Sequence, residues 1–173
     1  MLPNNAIKQY FNDIATQHID IQHGENGRIR FIQFEQKEDV SNFVKKIEFT
    51  HLFLALMKPS IIIRRNESGT HRRFHQTGFY ILKSCKANDL VMQEQIQNDA
   101  EIIAEEIRQK IIKDCYDGNG CLTISGQLLY PDFTEWIIDP VSNQAENSAG
   151  IWCEFKLYQN ITTCNYTPAK WLP

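Results

Sequence analysis

Ile96, Ala100, Ile103, Ile107 and Ile111 follow one another at steps of three and four residues, and no other feature of the chain narrows its fold as far. This spacing predicts one long helix, about residues 89–114, with a single apolar stripe that must be buried against a broader surface. Glu94, Glu101, Glu105, Arg108 and Lys110 fall largely off the stripe. Asp89 stands where a side chain caps a helix start, and acidic residues precede basic ones, as the helix dipole favours. Asp117-Gly118-Asn119-Gly120 supplies the stop.

A second helical spacing, Ile7, Tyr10, Phe11 and Ile14, predicts an N-terminal helix ending near His18, with Pro3 where a helix start tolerates it. Between the two helices the pattern turns to strands. Arg28 to Phe34 is one, and Phe49 to Met57 another, apolar enough to be buried on both faces and ended by Pro59. Ile61 to Arg65 and His71 to Cys85 form the arms of a hairpin closed by Asn66 to Thr70, with a bulge expected at Gly78. Val40 to Ile47 keeps helical spacing in a stretch that irregular chain would also fit.

After the long helix come short strands at Cys121 to Ile124 and Gln127 to Tyr130, then Phe133 to Ile138 leading to Pro140. Val141 to Gly150 is polar and reads as a loop. Ile151, Cys153, Phe155 and Leu157 alternate with Trp152, Glu154, Lys156 and Tyr158, the period of a half-buried strand. The order lacks regular βαβ alternation. It predicts an α+β fold, an antiparallel sheet with the long helix and the N-terminal helix packed on it. The chain divides into one domain, residues 1–158, and a C-terminal arm, 159–173.

Length and charge exclude several classes. The 173 residues suffice for one real core, and the formal net charge of −3 confines any polyanion contact to a local patch. No apolar run approaches the roughly 18 residues of a membrane span, and the first residues lack the basic and apolar segments of a secretory leader. The odd set Cys85, Cys115, Cys121, Cys153 and Cys164 reads as reduced thiols rather than a disulfide framework. In a cytoplasmic setting the sequons at Asn66, Asn160 and Asn165 are silent.

Motifs that carry chemistry are sparse. Gly118-Asn119-Gly120 follows a helix, whereas a phosphate-binding turn opens one. Cys115/Cys121 and Cys153/Cys164 lack the close pairing that presents two thiolates to zinc. His71 and His75 would share one strand face without placeable further ligands. Ser125-Gly126 lacks the glycine of a nucleophile elbow, and Asp99, Glu101, Glu105 and Glu106 read as a solvated helix face. The expectation is no enzyme activity, no catalytic residue, no cofactor and no metal.

Two local features remain. Arg64, Arg65, Arg72 and Arg73 flank the hairpin loop, beside His71 and His75, in a chain that is otherwise net negative. Three readings stay open: a soluble hairpin tip, salt-sensitive contact with a phosphate backbone, and an ion-pair surface for an acidic neighbour. Tyr166 and Trp171 in the arm are candidate interface anchors, and packing back on their own domain is equally open.

Gly78-Phe79-Tyr80-Ile81-Leu82 precedes the helix closed by Ile107-Arg108-Gln109-Lys110-Ile111 and Asp114. Ala149-Gly150-Ile151-Trp152-Cys153-Glu154-Phe155-Lys156-Leu157 follows at a distance, then Cys164-Asn165-Tyr166. This arrangement, from about Gly78 to Tyr166, resembles the tail-completion and tail-terminator-like neck proteins of tailed bacteriophages, podovirus-type phages of gut bacteria included. The N-terminal third and the basic hairpin have no counterpart in it. The resemblance implies a tail-terminator-like subunit in a ring of six or twelve copies at the head–tail junction, with no enzyme activity or cofactor. Its partners would be portal, adaptor or tail proteins, with genomic DNA passing through the lumen. Its place would be the virion neck, assembled in the host cytoplasm. The residues alone leave two alternatives: a nucleic-acid-binding accessory protein acting through the basic hairpin, and a cytoplasmic α+β enzyme.

Overall fold

The computed structural model describes residues 4–36, 39–40, 42–43, 51–65, 71–118, 120–124, 126–142 and 147–161. Seven strands are described: β1 Phe31–Phe34, β2 Phe53–Met57, β3 Ser60–Arg65, β4 His71–Ser84, β5 Leu122–Ile124, β6 Gln127–Ser142 and β7 Ser148–Ile161. They form one curled sheet in the order β1-β2-β4-β7-β6-β5, with β3 also paired to β4. β4 and β7 are its spine, fourteen residues each and in unbroken antiparallel register from His71↔Ile161 to Ser84↔Ser148. On the other edge of β4, β3 pairs with the first half and β2 with the second. The change of partner falls at Lys58-Pro59, where the Thr77 hydroxyl donates to the Met57 carbonyl at 2.6 Å.

Two helices lie on one face of this sheet. α1 spans Asn4–Gln17 and α2 Leu90–Asp117. At 1.5 Å per residue the 28 residues of α2 reach about 42 Å, close to the length of a fourteen-residue strand. The helix can therefore lie along the spine for its whole length. Ile96, Ala100, Ile103, Ile107 and Ile111 are all buried, as the spacing predicts, together with Gln93, Ala104 and Cys115. They pack with Ile7, Phe11 and Ile14 of α1 and with Phe79, Ile81, Ile151, Cys153, Phe155 and Leu157 of the spine. Phe11 locks α1 down, its ring 5.8 Å from Phe79 and 5.5 Å from Phe155. A smaller cluster, Phe34, Val40, Phe53, Ala55, Tyr80 and Leu82, lies on the opposite face near β1 and β2.

The structure bears out the α+β class, both helices on one sheet face, the basic hairpin and the clean alternation of Ile151 to Tyr158. It corrects several details. β1 runs parallel to β2, so the sheet is not purely antiparallel. α2 continues three residues past Asp114 because the Gly118 and Gly120 amides reach back to the Asp114 and Cys115 carbonyls. Its first turn holds no acidic residue and its last no basic one; the Asp89 carboxylate, accepting from the Met92 amide at 3.0 Å, does the capping alone.

The β4–β7 ladder passes Gly78 without a shift, so no bulge forms there. Gln127 to Tyr130 and Phe133 to Ile138 belong to one strand, β6, which tolerates Pro131 and Pro140 because, among the described residues, β5 covers only its first residues and leaves an outer edge that needs no N–H. The irregularity lies instead between Asp132 and Ile137, where β6 has extra residues against β7 and turns Phe133 and Trp136 onto the helix-side core. The expected loop 141–150 is shorter, since β6 runs to Ser142 and β7 begins at Ser148. β7 also continues to Ile161, three residues into the stretch assigned to the arm. The rest of the arm, with Cys164, Tyr166 and Trp171, the hairpin loop 66–70 and most of Val40 to Ile47 lie outside the described residues.

Candidate functional site

The four arginines occupy the free end of the β3–β4 hairpin, and strand periodicity splits them. Arg64 faces Arg72 directly across the two strands, while Arg65 pairs with His71 and Ile63 with Arg73. Side chains alternate between faces along a strand. Arg64 and Arg72 therefore share the face opposite the helices, and Arg65 and Arg73 share the helix-side face. What reads in sequence as one patch is two pairs. Among the described residues none of the four forms an ion pair, and the Nε of Arg72 and of Arg73 has no hydrogen-bond partner.

The face opposite the helices carries an ordered row. Register places Ile62 of β3, Phe74 of β4, Tyr158 of β7 and Tyr130 of β6 side by side across four adjacent strands. Tyr158 stacks on Tyr130 with ring centroids 5.3 Å apart and lies 5.9 Å from Phe74. All four side chains are half-buried, and none belongs to either core cluster. Arg64 and Arg72 form the next row outward. The Arg64 guanidinium carbon lies 5.9 Å from the Phe74 ring centre and that of Arg72 4.8 Å from Tyr158, so each cation rests on an aromatic face. Asn160 is the β7 partner of Arg72 and stands exposed beside it.

The helix-side face of the same hairpin is different. Ile61 and Ile63 are 42% and 57% exposed. Between Ile61 and Leu157 lies His75, buried, its Nε2 3.4 Å from Gln159 Oε1 and its Nδ1 without a partner. Burial, and to a lesser degree the Arg73 charge, lowers the His75 pKa, against the contrary pull of Gln159. His71 shares this face but is exposed, so the two histidines stand in unlike surroundings.

Other chemistry-bearing groups are engaged structurally. His18, Asp20 and Glu106 bring one ligand atom each within 4.8 Å of the others. Yet His18 Nδ1 accepts from the Asp20 amide at 3.2 Å, which leaves Nε2 to donate to Glu106 at 2.9 Å. Both ring nitrogens are thereby used, Nδ1 in the turn after α1 and Nε2 in tying that turn to α2. Cys115, Cys121 and Cys153 are buried free thiols and Cys85 is half-buried, in keeping with the reading of packed cysteines. A hollow at the start of α2 is lined by Lys86, Asn88, Asp89, Leu90 and Val91, and the Asp89 carboxylate there is engaged in capping the helix.

The aromatic row escaped sequence reasoning. Phe74, Tyr130 and Tyr158 each sit in a recognisable strand, but their meeting depends on cross-strand register. No family model matches the chain, and no curated protein matches it.

Proposed function

We propose that this chain is a non-enzymatic structural subunit that assembles into a ring in the neck of a tailed phage, at the head–tail junction. The observation that supports assembly is the outer edge of β3. Its six residues pair on one side only, with β4, and no described strand meets the other side. Ile61 and Ile63 are exposed beside that edge. Free N–H and C=O groups flanked by branched apolar side chains are a template for pairing with another chain, one that monomeric proteins blunt or cover. In a closed ring a repeated contact would cover the same edge in every copy.

The phage setting rests on the resemblance from Gly78 to Tyr166, within which β4, α2 and β7 are a strand, a long helix and an alternating strand in that order. The partners are further copies, six or twelve to a ring, and the portal, adaptor or tail proteins above and below. The ring lumen would pass genomic DNA.

Sedimentation over a range of concentrations tests the assembly. The wild-type chain should form a discrete oligomer, and Ile61→Lys/Ile63→Lys should give a folded monomer, because charges on an exposed edge oppose pairing. A wild-type chain that stays monomeric throughout sinks the ring. Deleting the gene from its phage tests the setting: filled heads without joined tails are expected, and intact virions lacking the protein would refute it.

A further inference from the structure

We propose that the sheet face opposite the helices, at the hairpin end, binds single-stranded nucleic acid. The inference is independent of the ring. Four features converge on one small surface, the first being the row Ile62, Phe74, Tyr158 and Tyr130, in register on four neighbouring strands and outside both cores. At about 4.8 Å between strands the row spans about 14 Å, room for two or three bases of a splayed strand. Rings on a sheet are sequence-tolerant stacking platforms, since every base has a π-face.

The second feature is the outer row. Arg64 and Arg72 are placed directly opposite each other, an arrangement that like charges disfavour. No described carboxylate pairs with either. A phosphodiester lying between them would relieve that repulsion. Third, Phe74 and Tyr158 hold the two guanidinium groups near their faces, so the cations are oriented before any ligand arrives. Fourth, Arg65 and Arg73 lie on the other face and Lys156, in the row on the inner side, is paired with Glu135, so the positive charge left without a described carboxylate beside the aromatic row comes from Arg64 and Arg72.

An acidic protein segment would meet the arginines but gain little from the rings. A duplex would present phosphates but keep its bases stacked away from them. The pairing of cations with a flat aromatic row selects the single strand.

The test is fluorescence anisotropy with labelled oligothymidylate of about 12 nucleotides, a length within the reach of one such surface. A duplex of equal length and an acidic peptide serve as competitors. Wild-type protein should bind the single strand in preference to the duplex, with affinity falling as salt rises. Arg64→Gln/Arg72→Gln should weaken binding about tenfold or more and flatten the slope of log affinity against log salt by about 0.7, the value for the one single-strand phosphate that the two cations share. Phe74→Leu and Tyr158→Leu, which keep apolar volume but lose the ring, should each weaken it about tenfold with little change in salt slope.

Arg65→Gln/Arg73→Gln should stay within about twofold of wild type, since screening limits what charges on the other face contribute. Should a leucine variant fail to fold, the arginine pair still decides. No detectable oligonucleotide binding, equal loss from both arginine pairs, or tighter binding to duplex or to acidic peptide would each overturn the proposal.

Discussion

The indole of Trp152, on β7, occupies the place where a side chain on Gly78 of β4 would stand. The Cys153 carbonyl oxygen closes the same space, 2.6 Å from an ideal Cβ. Tyr80 completes the packing, its ring centre 4.6 Å from that of Trp152. The glycine is thus there for close approach, and the spine stays regular through it. Gly78→Ala should destabilise the fold by about 3 kcal/mol through overpacking of a backbone that cannot retreat. The measurement is the urea midpoint, and an unchanged midpoint would mean that Trp152 moves aside freely.

Ile102 and Ile103 are neighbours in α2 with opposite fates, one 60% exposed and the other 2%. Ile103→Asp would bury a charge without a partner and should cost about 4 kcal/mol, near the upper end for single substitutions. Ile102→Asp should stay within about 0.5 kcal/mol of wild type. Paired thermal melts decide the matter. Equal losses would show that the helix is rotated from the packing described.

These two pairs mark what sequence could and could not disclose. The α2 stripe was legible because a helix buries residues by their spacing alone, and that spacing is local. The alternation from Ile151 to Leu157 was legible for the same reason. The place of β6 in the sheet was not, because Pro131 and Pro140 argue against a strand unless its outer edge is known to be open. Gly78 could be seen as unusual, but its reason lies in Trp152, 74 residues away in the chain. Likewise the basic hairpin was plain in sequence, while the split of Arg64 and Arg72 from Arg65 and Arg73 required the register. The row built from Ile62, Phe74, Tyr158 and Tyr130 joins three separate stretches of chain and had no local signature.

Tyr10 and Asp114 tie the first helix to the end of the second. The Tyr10 hydroxyl donates to Asp114 Oδ2 at 2.8 Å, and Lys110 Nζ holds both oxygens of the same carboxylate at 2.5 and 2.6 Å. Burial, reinforced by the Asp114 carboxylate, raises the Tyr10 pKa far above its usual value, so the phenol stays a donor. Tyr10→Phe should cost about 1 kcal/mol, the net worth of one such bond, because Lys110 still satisfies Asp114. Asp114→Ala removes the acceptor from a half-buried phenol and should cost more. A reversed order in chemical denaturation would show that the Tyr10 hydroxyl is not held chiefly by Asp114.

Thiol reactivity should follow burial. The Cys115 thiol is pushed up to about 11, by burial first and by the nearby Cys121 and Asp114 next. Burial raises Cys153 further, with Glu105 and Glu154 adding to it. Cys85 is also raised, but it is only half-buried. Of these three, Cys85 should be the first to react with a thiol reagent in the native protein, and Cys115 and Cys153 should react only as the chain opens, since the thiolate is the nucleophile. Mass mapping of alkylated peptides against time gives the order. Early labelling of Cys153 would show that the spine opens locally beneath α2.

Acid should weaken the fold before its carboxylates titrate. His75 and His23 both have pKa values lowered, His75 chiefly by burial with help from Arg73, and His23 by burial. His23 Nδ1 also accepts from the Arg30 amide at 3.0 Å, a bond that only the unprotonated nitrogen can make. In the unfolded chain each imidazole returns to its ordinary value near 6.5. Below that pH, and down to the folded values, the unfolded state binds more protons than the native one, so stability falls as pH falls. Above about pH 7 both states are neutral at these sites and the dependence should vanish. Urea midpoints between pH 5 and pH 8 should therefore be flat at the upper end and decline at the lower. His75→Gln, which keeps a polar group beside Gln159, should reduce the decline, and adding His23→Gln should reduce it further, leaving the share of exposed His51, whose pKa is lowered by desolvation and by the Arg30 and Arg28 charges. A double variant that declines as steeply as wild type would assign the acid sensitivity to other groups.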